Sequence, residues 1–253
     1  MQGKIVLITG ASSGIGAACA QVFAMAGARL ILAARRLAGL QALVAQLPPT
    51  TDVYLLALDV SDRTAVAQSI QELPDDWEEI EILINNAGLA RGLDPLQTGA
   101  IEDWEEMIDT NVKGLLYMTR CVLPGMLDRG RGHIINLGSI AGLAAYPKGA
   151  VYCGTKAAVK LITEGLKQDL LGTPIRVSEV DPGLVETEFS VVRFHGDRDR
   201  ASQVYAGVTP LTPMDVAEVI FFCATRPAHV NINQVVLMPV DQASATLVHR
   251  QQS

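Results

Sequence analysis

The 253 residues are 49% hydrophobic and 19% charged, proportions that exclude a disordered chain and allow a core burying about 70–75% of the unfolded surface without covalent staples. A net charge of −7, from 20 Lys and Arg against 27 Asp and Glu, excludes a generic electrostatic footprint for nucleic acid or an anionic membrane. Cys19, Cys121, Cys153 and Cys223 have neither CxxC pairing nor a histidine at zinc spacing, so the sequence predicts reduced core thiols and no metal site.

The first apolar run, residues 5–8, is cut off by Thr9-Gly10. It is too short for a signal-peptide core or a membrane helix, and a soluble cytoplasmic protein is expected. Similar short runs follow at 30–34, 53–58, 80–85, 133–137, 175–180 and 235–238, separated by helical stretches. Nearly continuous apolar runs predict strands covered on both faces. The alternation predicts one doubly wound α/β domain of Rossmann type over 1–253, with a mainly parallel seven-stranded sheet. Residues 189–213 break the pattern with mixed aromatic and charged residues, and are expected to form either a substrate lid or a short surface helix with loops.

The first run leads into Gly10-Ala11-Ser12-Ser13-Gly14-Ile15-Gly16 and then a helix of small residues. A glycine-rich turn between strand and helix lets backbone N–H groups approach a pyrophosphate, although the same turn can be purely structural. At the end of the second run, where an acidic residue would accept bonds from the ribose hydroxyls of NAD, the chain has Arg35-Arg36. Two guanidiniums there suit a 2′-phosphate and point to NADP; otherwise they are solvated arginines opening a helix. Asp59-Val60 and Asn86-Ala87-Gly88 end the third and fourth runs. Asp59 is positioned to accept from an adenine amino group or to cap a helix, and Ala87-Gly88 to let a cofactor lie against backbone.

Tyr152 and Lys156 are spaced i, i+4 in a predicted helix, so they share a face, where an ammonium would favour the phenolate and lower the pKa of a phenol that is otherwise too weak an acid, against desolvation that would raise it. Ser139, after the fifth run, is placed to hold a substrate oxygen, and Asn111, in a helix predicted over 104–120, to orient a water near Lys156. In the lid segment Arg193 is either a bidentate clamp for a substrate carboxylate or a surface or intersubunit arginine.

Together TGASSGIG, NNAG, Asn111, Ser139, Tyr152 and Lys156 resemble the short-chain dehydrogenase/reductase family over almost the whole chain. The resemblance implies Tyr152 as acid/base, Lys156 also holding the nicotinamide ribose, and Ser139 polarising the carbonyl. It further implies that Pro182, Gly183, Val185 and Thr187 position the nicotinamide carboxamide, and that the protein is a homotetramer. The stretch from Glu186 to Phe194, the residues His229-Val230-Asn231-Ile232-Asn233, Met238-Pro239 and the ending around His249 resemble the NADP-dependent 3-hydroxy acid dehydrogenase subgroup. That likeness implies hydride transfer between NADP and C3 of a small hydroxy acid such as L-serine, L-allo-threonine or 3-hydroxypropionate, or the reverse reaction on malonic semialdehyde. The alternatives are an NADPH-dependent reductase of 3-oxoacyl thioesters or small ketones and, from another class, a non-catalytic NADP-sensing regulator.

Overall fold

The computed structural model describes residues 1–251. In chain order it runs β1 (Ile5–Thr9), α1 (Gly14–Met25), β2 (Arg29–Ala34), α2 (Leu37–Val44), β3 (Val53–Ala57), α3 (Arg63–Gln71), β4 (Ile80–Asn85) and α4 (Ile101–Ile108). A π-helical turn (Asp109–Gly114) then leads to α5 (Leu115–Asp128), β5 (Gly132–Leu137), α6 (Ala150–Asp169), β6 (Ile175–Pro182), α7 (Phe189–Arg193), α8 (Arg198–Gln203), α9 (Pro213–Ala224) and β7 (Gln234–Leu237). Each of the seven predicted runs is a strand.

The strands form one sheet in the order β3-β2-β1-β4-β5-β6-β7, and every neighbouring pair is parallel. The chain winds outward in one direction from β1 to β3, then crosses back to β4. Loops on the two sides of that reversal diverge and leave a crevice at the carboxyl edge of the sheet.

Alternate strand residues explain the continuous apolar runs. Val6, Ile8, Leu30 and Leu32 pack against α1, α2 and α9 through Ala20, Phe23, Leu40 and Ile220, while Leu7, Ile31, Leu83 and Ile134 meet Val66 of α3 and Met118, Val122 and Met126 of α5. Both faces are covered, as a parallel sheet requires. Helices α1 and α9 close one layer where Phe23 and Phe221 meet edge to face, with centroids 5.2 Å apart. Helix α9 starts with Pro213 and a capping box in which the Thr212 and Asp215 side chains bind each other's backbone N–H. Cys19, Cys153 and Cys223 are buried and Cys121 is half-buried; all four are free thiols.

One expected element is corrected. The helix predicted over 104–120 is interrupted by the π-helical turn between α4 and α5, because the Asn111 side chain is drawn inward to bind the backbone of Leu89 and the hydroxyl of Thr155. Residues 189–213 hold the two short helices α7 and α8, and a bridge between Val185 and Leu211 closes the segment at its base. Among the described residues no helix is long and apolar enough to cross a membrane.

Phe23 is fully buried, and Phe23→Ala is expected to cost about 3–5 kcal/mol of stability through lost burial and the cavity left behind, read as a lower midpoint in urea unfolding.

Candidate active site

At the switch between β1 and β4 a single hydroxyl ties two strands together. Thr9 Oγ1, buried, donates to the Ile84 carbonyl at 3.2 Å and accepts the N–H groups of Asn86 and Ala87, each at 3.0 Å. The Asn86 amide returns the link, donating to the carbonyls of Thr9 at 2.8 Å and Gly10 at 3.2 Å. Asn86 therefore braces the turn with its nitrogen. Gly10 has φ +64°, and a Cβ there would lie 2.9 Å from Ala87 Cα, so only glycine lets the β1–α1 turn approach the end of β4 this closely.

Helix α1 begins at this turn. Its N-cap, Ser13, makes no side-chain capping bond, and the first turn carries no acidic residue. Free N–H groups and the positive end of the helix dipole thus face the crevice, an arrangement that favours an anion. The bare helix end and the side-chain-free approach of Gly10 fit a pyrophosphate.

The adenosine end of the expected site is formed at the ends of β2 and β3. Arg35 and Arg36 are both exposed; Arg36 is the N-cap residue of α2, and Arg35 lies 3.6 Å from Glu106. Asp59 does not cap α3, which Asp62 does. One oxygen of Asp59 accepts the N–H and hydroxyl of Ser61, at 2.9 and 2.7 Å, while Val60 is turned into the core.

A cavity of about 350 Å³ opens along the crevice, and Gly10, Ser13, Gly14, Ile15, Asn86, Ala87 and Gly88 form one wall. Ser139, Tyr152, Lys156, Pro182, Gly183, Val185, Thr187 and Arg193 complete it. Thr187 stands across from the turn, 3.4 Å from where a Cβ of Gly14 would be. Ser12, Gly16, Arg35, Arg36, Asp59, Val60 and Asn111 do not line this cavity.

On its lining, Ser139 Oγ accepts the N–H of Ala141 at 3.1 Å and faces the Tyr152 phenol, whose acidity it promotes. Lys156 is 6% exposed and donates to the Leu137 carbonyl at 2.7 Å. Burial pulls its amine down to about 8, with Asp181 and then Glu179 opposing that fall. The cation over Tyr152 is Arg193, whose Cζ stands 5.1 Å from the ring centroid, because the Lys156 amine is drawn instead to the Leu137 carbonyl below. Burial raises the phenol above its usual range, and Arg193, followed by the Ser139 hydroxyl, offsets part of that rise. Asn111 spends both amide protons, on the Leu89 carbonyl at 2.8 Å and on Thr155 Oγ1 at 3.0 Å.

Three aromatic residues escaped the sequence reading as site residues. Tyr146 accepts a 2.7 Å hydrogen bond from Arg193, Phe189 packs edge-on to Tyr152 with centroids 5.6 Å apart, and Tyr205 donates to the Val185 carbonyl at 2.9 Å. Gln242 also lines the cavity and accepts from Leu184 N at 2.8 Å. Phe189 and Tyr205 lie inside the segment singled out for its mixed composition, which was the available signal. Nothing in the local sequence marks Tyr146 or Gln242. His195, nearby, is exposed and pairs with Asp103 at 3.2 Å, outside the cavity.

A family model described as short chain dehydrogenase matches residues 4–197. The chain belongs to that family. It is 51% identical over 248 residues to an NADP-dependent 3-hydroxy acid dehydrogenase of Salmonella typhi, covering 97% of this chain and 99% of the relative. It is 48% identical to sulfoacetaldehyde reductase 2 of Chromohalobacter salexigens, covering 97% and 98% respectively. Among solved structures, the closed form of a serine dehydrogenase complexed with NADP+ superposes with a TM-score of 0.92 at 48% identity, covering 98% of this chain and all of that one.

The lowered amine of Lys156 is directly observable. Titrated by nitrogen-detected NMR of the lysine side chains, Lys156 is expected to lose its proton near pH 8, while an ordinary lysine keeps it to about 10.4.

Proposed function

We propose that the protein is an NADP-dependent dehydrogenase acting on C3 of a small 3-hydroxy acid of the L-serine, L-allo-threonine or 3-hydroxypropionate type, and running in reverse on malonic semialdehyde. The observation that carries this reading is Arg193: a guanidinium held among the rings of Tyr146, Tyr152 and Phe189, with its Nε buried and without a partner among the described residues. Such a group is prepared to receive a carboxylate while the neighbouring hydroxyl of the same small molecule reaches Tyr152. The names of the relatives support the same class, and a sulfonate, like a carboxylate, is an anion that a guanidinium binds.

NADP is the cofactor this reading requires. Ser12, Ser13, Ile15 and the first turn of α1 would hold its pyrophosphate, Arg35 and Arg36 its 2′-phosphate, Asp59 and the Val60 backbone its adenine, and Ala87-Gly88 its body against backbone. Lys156 would bind the nicotinamide ribose, and Pro182, Gly183, Val185 and Thr187 the carboxamide. Bound there, NADP would supply the nicotinamide ring for hydride transfer at C3.

The chain's own residues supply position and proton transfer. Arg193 holds the acid group and thereby fixes which hydroxyl meets the phenol. Ser139 Oγ binds that hydroxyl oxygen and retains it as the carbonyl forms. Tyr152, as phenolate, takes the hydroxyl proton; the Arg193 guanidinium above its ring favours the phenolate and is itself partly neutralised by the bound carboxylate. Lys156 places a second positive charge one helical turn along. Asn111 contributes by bracing the Leu89 backbone against Thr155. The 189–213 segment acts as the lid, since it carries Phe189 and Arg193. Leu116 and Leu161 stand exposed on α5 and α6, an apolar surface that supports packing between subunits of a homotetramer, and a cytoplasmic location accords with the free thiols.

The test follows absorbance of reduced nicotinamide with each of the three acids. NADP+ is expected to be reduced and NAD+ to be a poorer acceptor, with Arg35→Ala narrowing that difference. Tyr152→Phe is expected to lower kcat by about 10²–10⁴-fold, the usual contribution of a positioned acid/base. Arg193→Ala is expected to raise KM for the acid about 10–100-fold, as loss of charge-assisted hydrogen bonds worth about 1.5–3 kcal/mol predicts. Faster turnover of acetoacetyl thioesters or neutral ketones than of free acids would overturn the reading.

A further inference from the structure

Strand β6 carries two acids where the apolar pattern calls for core. Glu179 is 2% exposed and Asp181 1%, and, two residues apart, they point to the same face of the strand. Glu179 sits in a polar row across four adjacent strands, with Asn85 paired to Asn136, Asn136 to Glu179, and Glu179 to Gln234 in register. Within the row Asn85 donates to Asn136 and to Thr119, Asn136 donates to Thr163, and Gln234 donates to Asp181.

The acids have a different arrangement. Asp181 accepts the N–H of Ser139 at 2.8 Å on one oxygen and the Gln234 amide at 2.7 Å on the other. Glu179 Oε1 is buried and finds no donor among the described residues. A Cβ on Gly138 would overlap Asp181 Oδ1 and lie 2.5 Å from Glu179 Oε1, so the two carboxyl groups converge over the one residue before Ser139 that has no side chain. A buried carboxyl oxygen with no donor and a neighbouring carboxylate is satisfied by carrying a proton and donating it. Two ionised carboxylates in such a place would each lack solvent and repel the other.

We propose that Glu179 and Asp181 share one proton, Glu179 as the donor and Asp181 as the ionised acceptor, and together act as positioning residues for the reaction. Asp181 holds the Ser139 backbone at the edge of the pocket, and the single negative charge of the pair keeps Lys156 an ammonium. The charged groups facing the pair are Lys156 and Lys160 of α6; Asn136, Ser139 and Gln234, from β5, the loop after it and β7, do not titrate. Burial and the adjacent carboxylate raise Glu179 well above the ordinary carboxylate range, consistent with the proton residing there at neutral pH. This inference deepens the proposed dehydrogenase reading, because the ammonium it maintains is the one assigned to the ribose.

The experiment has two arms that do not depend on turnover. In infrared difference spectra across pH, the wild-type protein is expected to show the C=O stretch of a protonated carboxylic acid at pH 7, and Glu179→Gln to lack it. In side-chain NMR, the double variant Glu179→Gln, Asp181→Asn, in which neither residue can ionise, is expected to lower the titration midpoint of Lys156 by about one unit, the effect of removing a neighbouring opposite charge. The direction follows from linkage: without the carboxylate the ammonium is less stable, so the proton leaves at lower pH. The alkaline limb of kcat/KM should move acid-ward with it, while Glu179→Gln, which keeps one negative charge, leaves the limb in place. Absence of the acid band at pH 7, its persistence in Glu179→Gln, or an unmoved Lys156 midpoint in the double variant would overturn the proposal. Should the double variant fail to fold, the wild-type band and its loss in Glu179→Gln still decide. A shifted midpoint in a protein silent toward every hydroxy acid would uphold the pair and refute the dehydrogenase reading instead.

Discussion

The joint at Thr9 is the constraint on which the site is built. A parallel sheet leaves its useful groups at one edge, but the crevice exists only if the loops after β1 and β4 are held at a fixed separation. One buried hydroxyl does this by bonding to the backbone of both strands at once, and the Asn86 amide locks the same junction from the other side. The glycine turn, the bare start of α1 and the small residues after β4 are thereby registered against one another before any ligand enters. Everything farther along the edge, from Ser139 to Thr187, is placed relative to that joint by the spacing of neighbouring strands.

The second half of the site relies on a different economy of charge. Four ionisable groups, Tyr152, Lys156, Glu179 and Asp181, lie within one region of low dielectric, where each would prefer its neutral form if alone. Their mutual arrangement decides which of them keeps its charge. Burial weakens Lys156 and strengthens the hold of Tyr152 on its proton, and the opposing influences come from particular neighbours: the carboxylates for the amine, Arg193 and Ser139 for the phenol. The pocket is therefore electrostatically poised by residues on four elements, and the familiar i, i+4 pair is only part of it.

Much of this architecture could be read from the chain before any coordinates. The strands were legible because burial on both faces leaves uninterrupted aliphatic runs, and the turn after β1 because few residues other than glycine satisfy its backbone. Arg35 and Arg36 stood out by the absence of a carboxylate beside them. What could not be read depended on contacts distant in sequence. The π-helical turn arises from where Asn111 is pulled, by Leu89 and Thr155, and no local periodicity encodes that. Tyr146 matters because Arg193, 47 positions away, bonds to it. The acids of β6 were visible as letters within an apolar run, but only the sheet register shows that Glu179 and Asp181 lie beneath the pocket and beside Lys156.

The edge-to-face contact of Phe23 with Phe221 joins a helix made near the beginning of the chain to one made near its end. During synthesis the apolar side of α1 therefore emerges long before the surface that will cover it. Until α9 leaves the ribosome, the first βα unit presents an uncovered aliphatic layer, and so the nascent chain passes through a stage in which the nucleotide-facing turn exists without its hydrophobic backing. Vectorial folding of this protein must therefore wait for α9 to dock, a nonlocal and hence slow closure. Truncations that remove α9 would strand the chain at that stage, exposed to aggregation even though β1 through β6 and the proton-transfer residues had already been made.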